Sequence, residues 1–202
     1  MNAPERAPLC VLKLGGSLAR AAELPNWLSS CADLGGRLVI VPGGGPYADA
    51  VRGVQALWEF SDAQAHAMAL SAMELYAQQL CAMEPRLVTA ASRDAIRQVL
   101  AEGGVPVWLP RVMVLADPGI PQDWSATSDS LAAWLAARLA ARLLILVKRI
   151  EAGSGDFAAL AAAGVVDAAF PSFAARLPAV RIVHAGAWPM LSTLIGDGAR
   201  RH

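Results

Sequence analysis

Six short apolar runs, at residues 9–14, 37–41, 86–90, 105–109, 143–147 and 179–183, alternate with helical stretches, and this alternation constrains the fold more than anything else in the chain. Strands that are apolar almost throughout are buried on both faces, and parallel strands need a crossover element between them. The pattern therefore predicts an α/β protein, a three-layer α/β/α sandwich with a mainly parallel central sheet. No linker of domain-separating length and no internal repeat interrupts the 202 residues, so the whole chain, 1–202, reads as a single domain. A domain of that size buries roughly 70% of its unfolded surface, enough for a substantial core.

Helices are predicted over about 20–34, closed by Gly35-Gly36, and from Ser61-Asp62-Ala63-Gln64, which has capping-box spacing, to Met83. Others are expected over 92–101, from the Ser128 region to about Arg142, over 157–163, and from the last strand to about Ile195. Residues 112–124, with Pro118 and Pro121, read as extended or looped, and 151–155 as a glycine-rich turn.

Ligands of such sheets bind at the carboxyl ends of the strands, where three stretches stand out. Val11-Leu12-Lys13-Leu14 empties into Gly15-Gly16-Ser17, a turn whose backbone N–H groups can face an anion. The chain has two lysines, Lys13 and Lys148, against fifteen arginines, and Lys148 also closes an apolar strand. The second strand runs into Pro42-Gly43-Gly44-Gly45-Pro46, a strand, turn and helix-start arrangement suited to an anion. The third stretch, 123–130, brings two acids, Trp124 and four hydroxyl residues to the start of an alanine-rich helix, more than capping alone asks for. Each stretch also has a plainer explanation: an edge-strand lysine, a flexible turn, and a helix cap at Asp129. His66, on the long helix, is open in the same way between a structural residue and a ligand contact.

Apolar residues make up 55% of the chain, yet Arg138, Arg142 or Lys148 cut the longest apolar stretches short of the roughly 18 residues a membrane helix needs. Residues 1–8, with Glu5 and Arg6, carry no apolar signal core, and a cytoplasmic protein is expected. A formal net charge of zero with scattered arginines argues against a nucleic-acid surface and for a small ligand. Cys10, Cys31 and Cys81 lack metal-ligand spacing and read as reduced core residues, and no metal-ligating set is predicted.

Two familiar phosphate-binding signatures are absent. There is no Walker A loop, and Gly43-Gly44-Gly45 lacks the third glycine of the dinucleotide fingerprint as well as an acid at the end of the second strand, so an NAD enzyme fits poorly. Instead Val11–Leu18, Val39–Ala48 and Thr127–Leu135 together resemble the amino acid kinase superfamily. Lys13-Leu14-Gly15-Gly16-Ser17 is similar to its opening strand, Pro42-Gly43-Gly44-Gly45 to its second loop, and Ser128-Asp129-Ser130-Leu131-Ala132-Ala133 to its aspartate before an alanine-rich helix.

The resemblance implies phosphoryl transfer from ATP, with Mg2+, to a small acceptor. It implies a catalytic group of Lys13 on the transferred phosphate, Asp129 orienting both lysines, and Lys148. Gly15, Gly16, Ser17, Lys148 and Arg149 would bind phosphate and nucleotide, while Gly43, Gly44, Gly45, His66, Trp124, Thr127 and Ser128 would bind the acceptor. A substrate-binding half of about 1–125 and a nucleotide-binding half of about 126–202 go with it. So does a homodimer paired through a helix of the N-terminal half, for which 63–83 is the candidate.

The chain departs from the family after Lys148, where Arg149-Ile150-Glu151-Ala152-Gly153 replaces an aspartate-glycine pair, and at Gly198-Ala199, where the family has Gly-Thr. Compact length, His66-Ala67-Met68-Ala69, and Trp124 with Thr127-Ser128-Asp129-Ser130 look most like a small branch that phosphorylates an aminomethyl-furan phosphate in methanofuran-type cofactor synthesis. A ring and an amine would suit Trp124, Met68 and an acid, Asp123 or Asp62. A uridylate-kinase-like nucleoside monophosphate kinase, a carboxylate kinase, and a member that binds nucleotide or oxyanion without turnover stay open.

Overall fold

In the computed structural model, which describes residues 8–150 and 156–197, six strands form one wholly parallel sheet. They are β1 (Cys10–Leu14), β2 (Leu38–Pro42), β3 (Leu87–Ala90), β4 (Val105–Trp108), β5 (Leu143–Lys148) and β6 (Val180–His184), in the spatial order β3-β4-β2-β1-β5-β6. Each expected strand is found to within a residue at either end. Because β1 lies between β2 and β5, with Lys13 level with Val41 and Leu146, the carboxyl ends of all three strands meet.

Helices α1 (Leu24–Ala32), α2 (Gly45–Trp58), α3 (Asp62–Met83), α4 (Arg93–Ala101), α5 (Arg111–Leu115), α6 (Ser128–Arg138), α7 (Phe157–Ala162), α8 (Phe170–Ala174) and α9 (Leu191–Asp197) cover the sheet. Short 3-10 turns at Gly16–Leu18 and Ala185–Met190 complete the described elements. The capping box opening α3 is formed, with Ser61 and Gln64 satisfying each other's amides.

Strand side chains alternate between two cores. Val11, Val39, Val41, Leu144 and Leu146 pack on one face against Leu131 and Leu135 of α6 and Phe170 of α8. Cys10, Leu12, Leu14, Ile40, Ile145 and Val147 pack on the other against Trp27 and Leu28 of α1. Lys13 has the parity of Val11, and Lys148 that of Leu144 and Leu146. Both ammonium groups therefore face the α6 side of the sheet: alternation sets the parity within each strand, and the β1–β5 register, with Lys13 level with Leu146, puts the two parities on one face.

Four expectations need correction. The first helix begins at Leu24 rather than near residue 20, because Pro25 is tolerated only in a first turn. The Ser128 helix ends at Arg138 rather than near Arg142, since Ala140 turns left-handed (φ 52°) and the Ala141 N–H reaches back to the Ala136 carbonyl at 2.9 Å. Residues 112–124 are not wholly looped: α5 forms over Arg111–Leu115, with the Glu74 carboxylate accepting from the Arg111 N–H at 3.0 Å and Val114 buried. Helix α8, with Pro171 in its first turn, was not foreseen, and the expected turn at 151–155 lies outside the described residues.

Cys10 and Cys31 are buried, Cys81 is half-buried, and all three are free thiols. Burial pushes each thiol up, that of Cys81 to about 11, so they stay protonated and unreactive at neutral pH. Among the described residues no helix is long and apolar enough to cross a membrane.

Candidate functional site

Asp129 is the second residue of α6, is only 4% exposed, and is reached by both lysines. Lys13 Nζ lies 2.8 Å from Oδ1 and Lys148 Nζ 2.6 Å from Oδ2. The Lys148 contact is a hydrogen bond; the Lys13 contact is an ion pair off the hydrogen-bonding direction, so Oδ1 has no directed donor. Burial raises the Asp129 carboxyl, but the charges of Lys13 and Lys148 outweigh it and hold the group below its ordinary value. For Lys148 burial, and then the Lys13 charge, lower the ammonium pKa against the pull of Asp129 and Asp167. Two ammonium groups share one carboxylate, which leaves positive charge available to an anion at the strand ends.

A residue that sequence reasoning missed holds this arrangement in place. Asp167, ahead of α8, accepts from Thr127 N–H (2.9 Å), Thr127 Oγ1 (2.8 Å) and Ser130 N–H (3.0 Å), and makes a short bond with Ser130 Oγ. Thr127 provides no side-chain cap of its own, so the carboxylate from 40 residues downstream caps α6 and offsets its dipole. No local signal marks Asp167, because its partners are set by how α8 packs on α6.

The glycine turns have a steric reason. A Cβ on Gly16 would stand 2.4 Å from the Gly45 nitrogen, and one on Gly43 would stand 2.3 Å from the Gly16 nitrogen. The turns after β1 and β2 thus pack backbone on backbone, tied by Gly43 N–H to the Leu14 carbonyl at 2.8 Å, and Gly45 adopts φ 56°. The first amides of the 3-10 turn and of α2 have no intrahelical acceptor and are free to donate at the strand ends. Gly43→Ala is expected to cost about 1–3 kcal/mol through this overlap. Gly53→Ala, where a Cβ meets nothing within 4 Å on exposed α2, is the control and is expected to stabilise by about 0.5–1 kcal/mol. Urea unfolding of both variants checks this, and equal midpoints would remove the packing argument.

Beside the turns lies a pocket of about 310 Å³. The strand-end turns contribute Gly16, Ser17, Gly44 and Gly45 to it, and α6 with its approach contributes Asp123, Trp124, Thr127 and Ser128. From α3 come His66, Ala69, Leu70 and Met73, the 0, 3, 4, 7 spacing of one helical face. Of the expected acceptor residues, Gly44, Gly45, His66, Trp124, Thr127 and Ser128 are brought together here, whereas Gly43 is packed beneath the turn. Gly15 lies against Lys13, where a Cβ would be 3.4 Å from Nζ. Since Thr127 and Ser128 immediately precede Asp129, the pocket and the lysine pair share the start of α6.

His66 is 5% exposed, and its Nε2 has no partner. Burial lowers the imidazole below its ordinary value, against the pull of the Asp123 carbonyl and carboxylate, so the ring is neutral at pH 7. Trp124 is pinned by α2, donating from Nε1 to Gln55 Oε1 at 2.7 Å with the Arg52 guanidinium 4.1 Å from its ring centre. Met68 does not line the pocket; it is 43% exposed, and Met73, seven residues after His66, takes its place. Of the two candidate acids, Asp123 lines the pocket while Asp62 bonds Gln55 Nε2 at 2.8 Å outside it. Asp49 and Arg52 also line it and were missed, although they stand four and seven residues after Gly45, on one face of α2. Arg149 is exposed beyond β5 and joins no ion pair among the described residues.

Among the described residues no group of three or more His, Cys, Asp or Glu could hold a metal ion. Asp129 is engaged by two ammonium groups and Asp167 by the start of α6, so a magnesium ion arriving with a nucleotide fits here on phosphate oxygens and water rather than on protein carboxylates.

Fold and site together define a class of protein: a parallel α/β sheet, covered on both faces, with paired lysines on one aspartate and glycine turns at its central strand ends. Residues 8–152 match the amino acid kinase family, and the chain belongs to that family. A relative, the [5-(aminomethyl)furan-3-yl]methyl phosphate kinase of Methanocaldococcus jannaschii, is 25% identical over 143 residues, which is 70% of this chain. The match spans 66% of that relative's length, just under two thirds. The uridylate kinase of Archaeoglobus fulgidus superposes with a TM-score of 0.66 at 16% identity, over 96% of each chain. The UMP kinase of Ureaplasma parvum does so with a TM-score of 0.67 at 14% identity, over 89% of this chain and 90% of that one. These two likenesses are of fold.

Proposed function

We propose that this chain is an ATP-dependent phosphotransferase whose acceptor is a small phosphate monoester with a ring and an amine, of the aminomethyl-furan phosphate kind. The observation that carries the reading is the convergence of Lys13 and Lys148 on buried Asp129, beside glycine turns and a pocket that shares the first turn of α6.

ATP, with Mg2+, supplies the phosphoryl group. Charge in that transfer spreads over the equatorial phosphoryl oxygens, so catalysis consists mainly of alignment and fixed positive charge. Lys13 offsets that charge, with the amides of Gly15, Gly16 and Ser17 cradling phosphate oxygens. Lys148, with Arg149 beyond it, holds the nucleotide side. Asp129 holds both ammonium groups in place and is not a base, because its proton is withheld by two cations in a buried setting. None is needed: an acceptor phosphate at neutral pH is already ionised.

The acceptor lies over Gly44 and Gly45, with Gly43 supporting the turn from beneath. Asp123 and Asp49 suit an ammonium group, and the unpartnered Nε2 of neutral His66 suits one hydrogen bond from or to the acceptor. Trp124, Thr127 and Ser128 form the wall toward Asp129. A volume of about 310 Å³ is at the small end of ligand pockets and accommodates a single ring with its phosphate. The reading includes an acceptor half of about 1–125 and a nucleotide half of about 126–202, and a cytoplasmic location, in keeping with the use of ATP. For the homodimer, Met68, Leu75 and Met83 of α3, with Leu57 and Trp58 of α2, are exposed apolar residues that pairing would cover. Sedimentation only as the 21.1 kDa chain at micromolar concentration would remove the dimer.

The test is ADP formation from Mg-ATP across aminomethyl-furan phosphate, nucleoside monophosphates, isopentenyl phosphate and amino-acid carboxylates. Acceptor-dependent ADP with the furan phosphate, and a raised KM for it in His66→Ala, is expected. Turnover of UMP alone would move the acceptor to the uridylate-kinase reading, which the strand-end Lys148 favours. No turnover with any acceptor, alongside thermal stabilisation by ATP, would leave a binding protein.

A further inference from the structure

A second groove, of about 590 Å³, runs along the outer side of α6, bounded by the start of α4, the 117–121 loop and α8. Arg93, Arg138 and Arg176 line it together with a single acid, Asp117. That acid is already committed. Its carboxylate accepts from Trp134 Nε1 and Gly119 N–H, each at 2.9 Å, and from Arg138 in a short bond. Arg138 in turn lies 4.8 Å from the Trp134 ring centre. Arg93 and Arg176 have no carboxylate within ion-pair distance among the described residues, and Asp94, next to Arg93, pairs with Arg97 at 3.7 Å instead. Arg93 is also the first residue of α4, at the positive end of the helix dipole, where a cation gains nothing from its own helix and an anion is favoured. Two uncompensated guanidinium groups therefore border a cavity within the range of small-molecule sites.

We propose that this groove binds a small polyanion, through two or more phosphate or carboxylate groups held by the forked donors of Arg93 and Arg176. The site is distinct from the lysine pair: Arg138 is nine residues beyond Asp129, roughly 13 Å along α6. It does not depend on the kinase reading, since no residue of the lysine pair or the acceptor pocket lines it. The groove and the lysine pair share α6, which carries Asp129 at one end and Trp134 and Arg138 toward the other.

Calorimetric titration of sodium tripolyphosphate and of citrate, at fixed ionic strength, into wild type, Lys13→Ala and Arg93→Gln/Arg176→Gln proteins tests this. Binding of at least one probe is expected to persist in Lys13→Ala and to weaken about tenfold or more in the arginine double variant. Which probe binds more tightly identifies a phosphate or a carboxylate ligand. The arginines are exposed and join no ion pair among the described residues, so the double variant is expected to unfold at the wild-type urea midpoint. The proposal is overturned by no binding of either probe to wild type, by unchanged affinity in the double variant, or by loss of binding in Lys13→Ala, which would put the anion on the lysine pair.

Discussion

Lys13→Ala is expected to lower the turnover of phosphoryl transfer by roughly 10²–10³-fold while leaving the fold intact. The effect is large because Lys13 is 5% exposed and its ammonium is held by Asp129, so little solvent or side-chain reorganisation is needed as charge develops. The fold survives because Lys148 still pairs with the buried carboxylate at 2.6 Å. Lys13→Arg is not expected to restore activity. Its planar, longer head does not put a compact charge where the buried Lys13 ammonium sits, 2.8 Å from Asp129 Oδ1. Turnover, read beside the urea midpoint, decides the matter; near-normal turnover in Lys13→Ala would remove Lys13 from the proposed catalytic group. A pH effect accompanies it. The folded pKa of Lys148 lies below the ordinary lysine value, so its charge is lost, and turnover falls, as pH rises through that lowered value, before the roughly 10.4 of a free lysine. In the same window unfolded Lys148 still binds its proton, so its contribution to stability rises with pH. Lys148→Arg should move the alkaline limb upward; an unmoved limb would assign it to another group.

Asp129→Ala should produce the larger loss of stability, about 3–5 kcal/mol, because two buried ammonium groups are left facing each other without a counter-charge. Repulsion between them is already felt, as Lys13 lowers Lys148 in the intact protein. Turnover is expected to fall at least about 10²-fold, since neither lysine is then placed. The sign with pH follows from a folded carboxyl held below its unfolded value. Its contribution is fully present above roughly pH 4 and fades as pH falls through the folded pKa, so wild type and variant converge in acid. Urea unfolding at pH 7 and at pH 3 checks both statements. A difference under about 1 kcal/mol at pH 7, the range of a surface pair, would mean that Asp129 does not organise the lysines.

The architecture was legible because its signals are local. Each apolar run of about five residues reads as a strand, and the four inner ones, β1, β2, β4 and β5, are buried on both faces, whereas the edge strands β3 and β6 are more open. Helix ends were less legible. Ala140 takes a left-handed conformation with no glycine to announce it, and α8 begins at a proline that reads equally well as a turn. In the pocket, Met68 and Asp62 were plausible from composition but do not line it, while Met73, on the lining face of α3, and Asp123, in the approach to α6, do.

What the sequence determined by itself is what depends on neighbours along the chain: strand and helix positions, the glycine turns, and the residue types at the strand ends. What the tertiary structure alone decided is which distant groups meet. Strand order put β5 beside β1 and so brought Lys148 to Asp129, and the packing of α8 on α6 brought Asp167 to Thr127 and Ser130 across about 40 residues. The packing of α4, α6 and α8 likewise left Arg93 and Arg176 on one groove whose single acid, Asp117, is engaged by Arg138 and Trp134. The physical reason is that a hydrogen bond or ion pair depends on separation in space, and sequence spacing sets that separation only within a single helix, strand or turn.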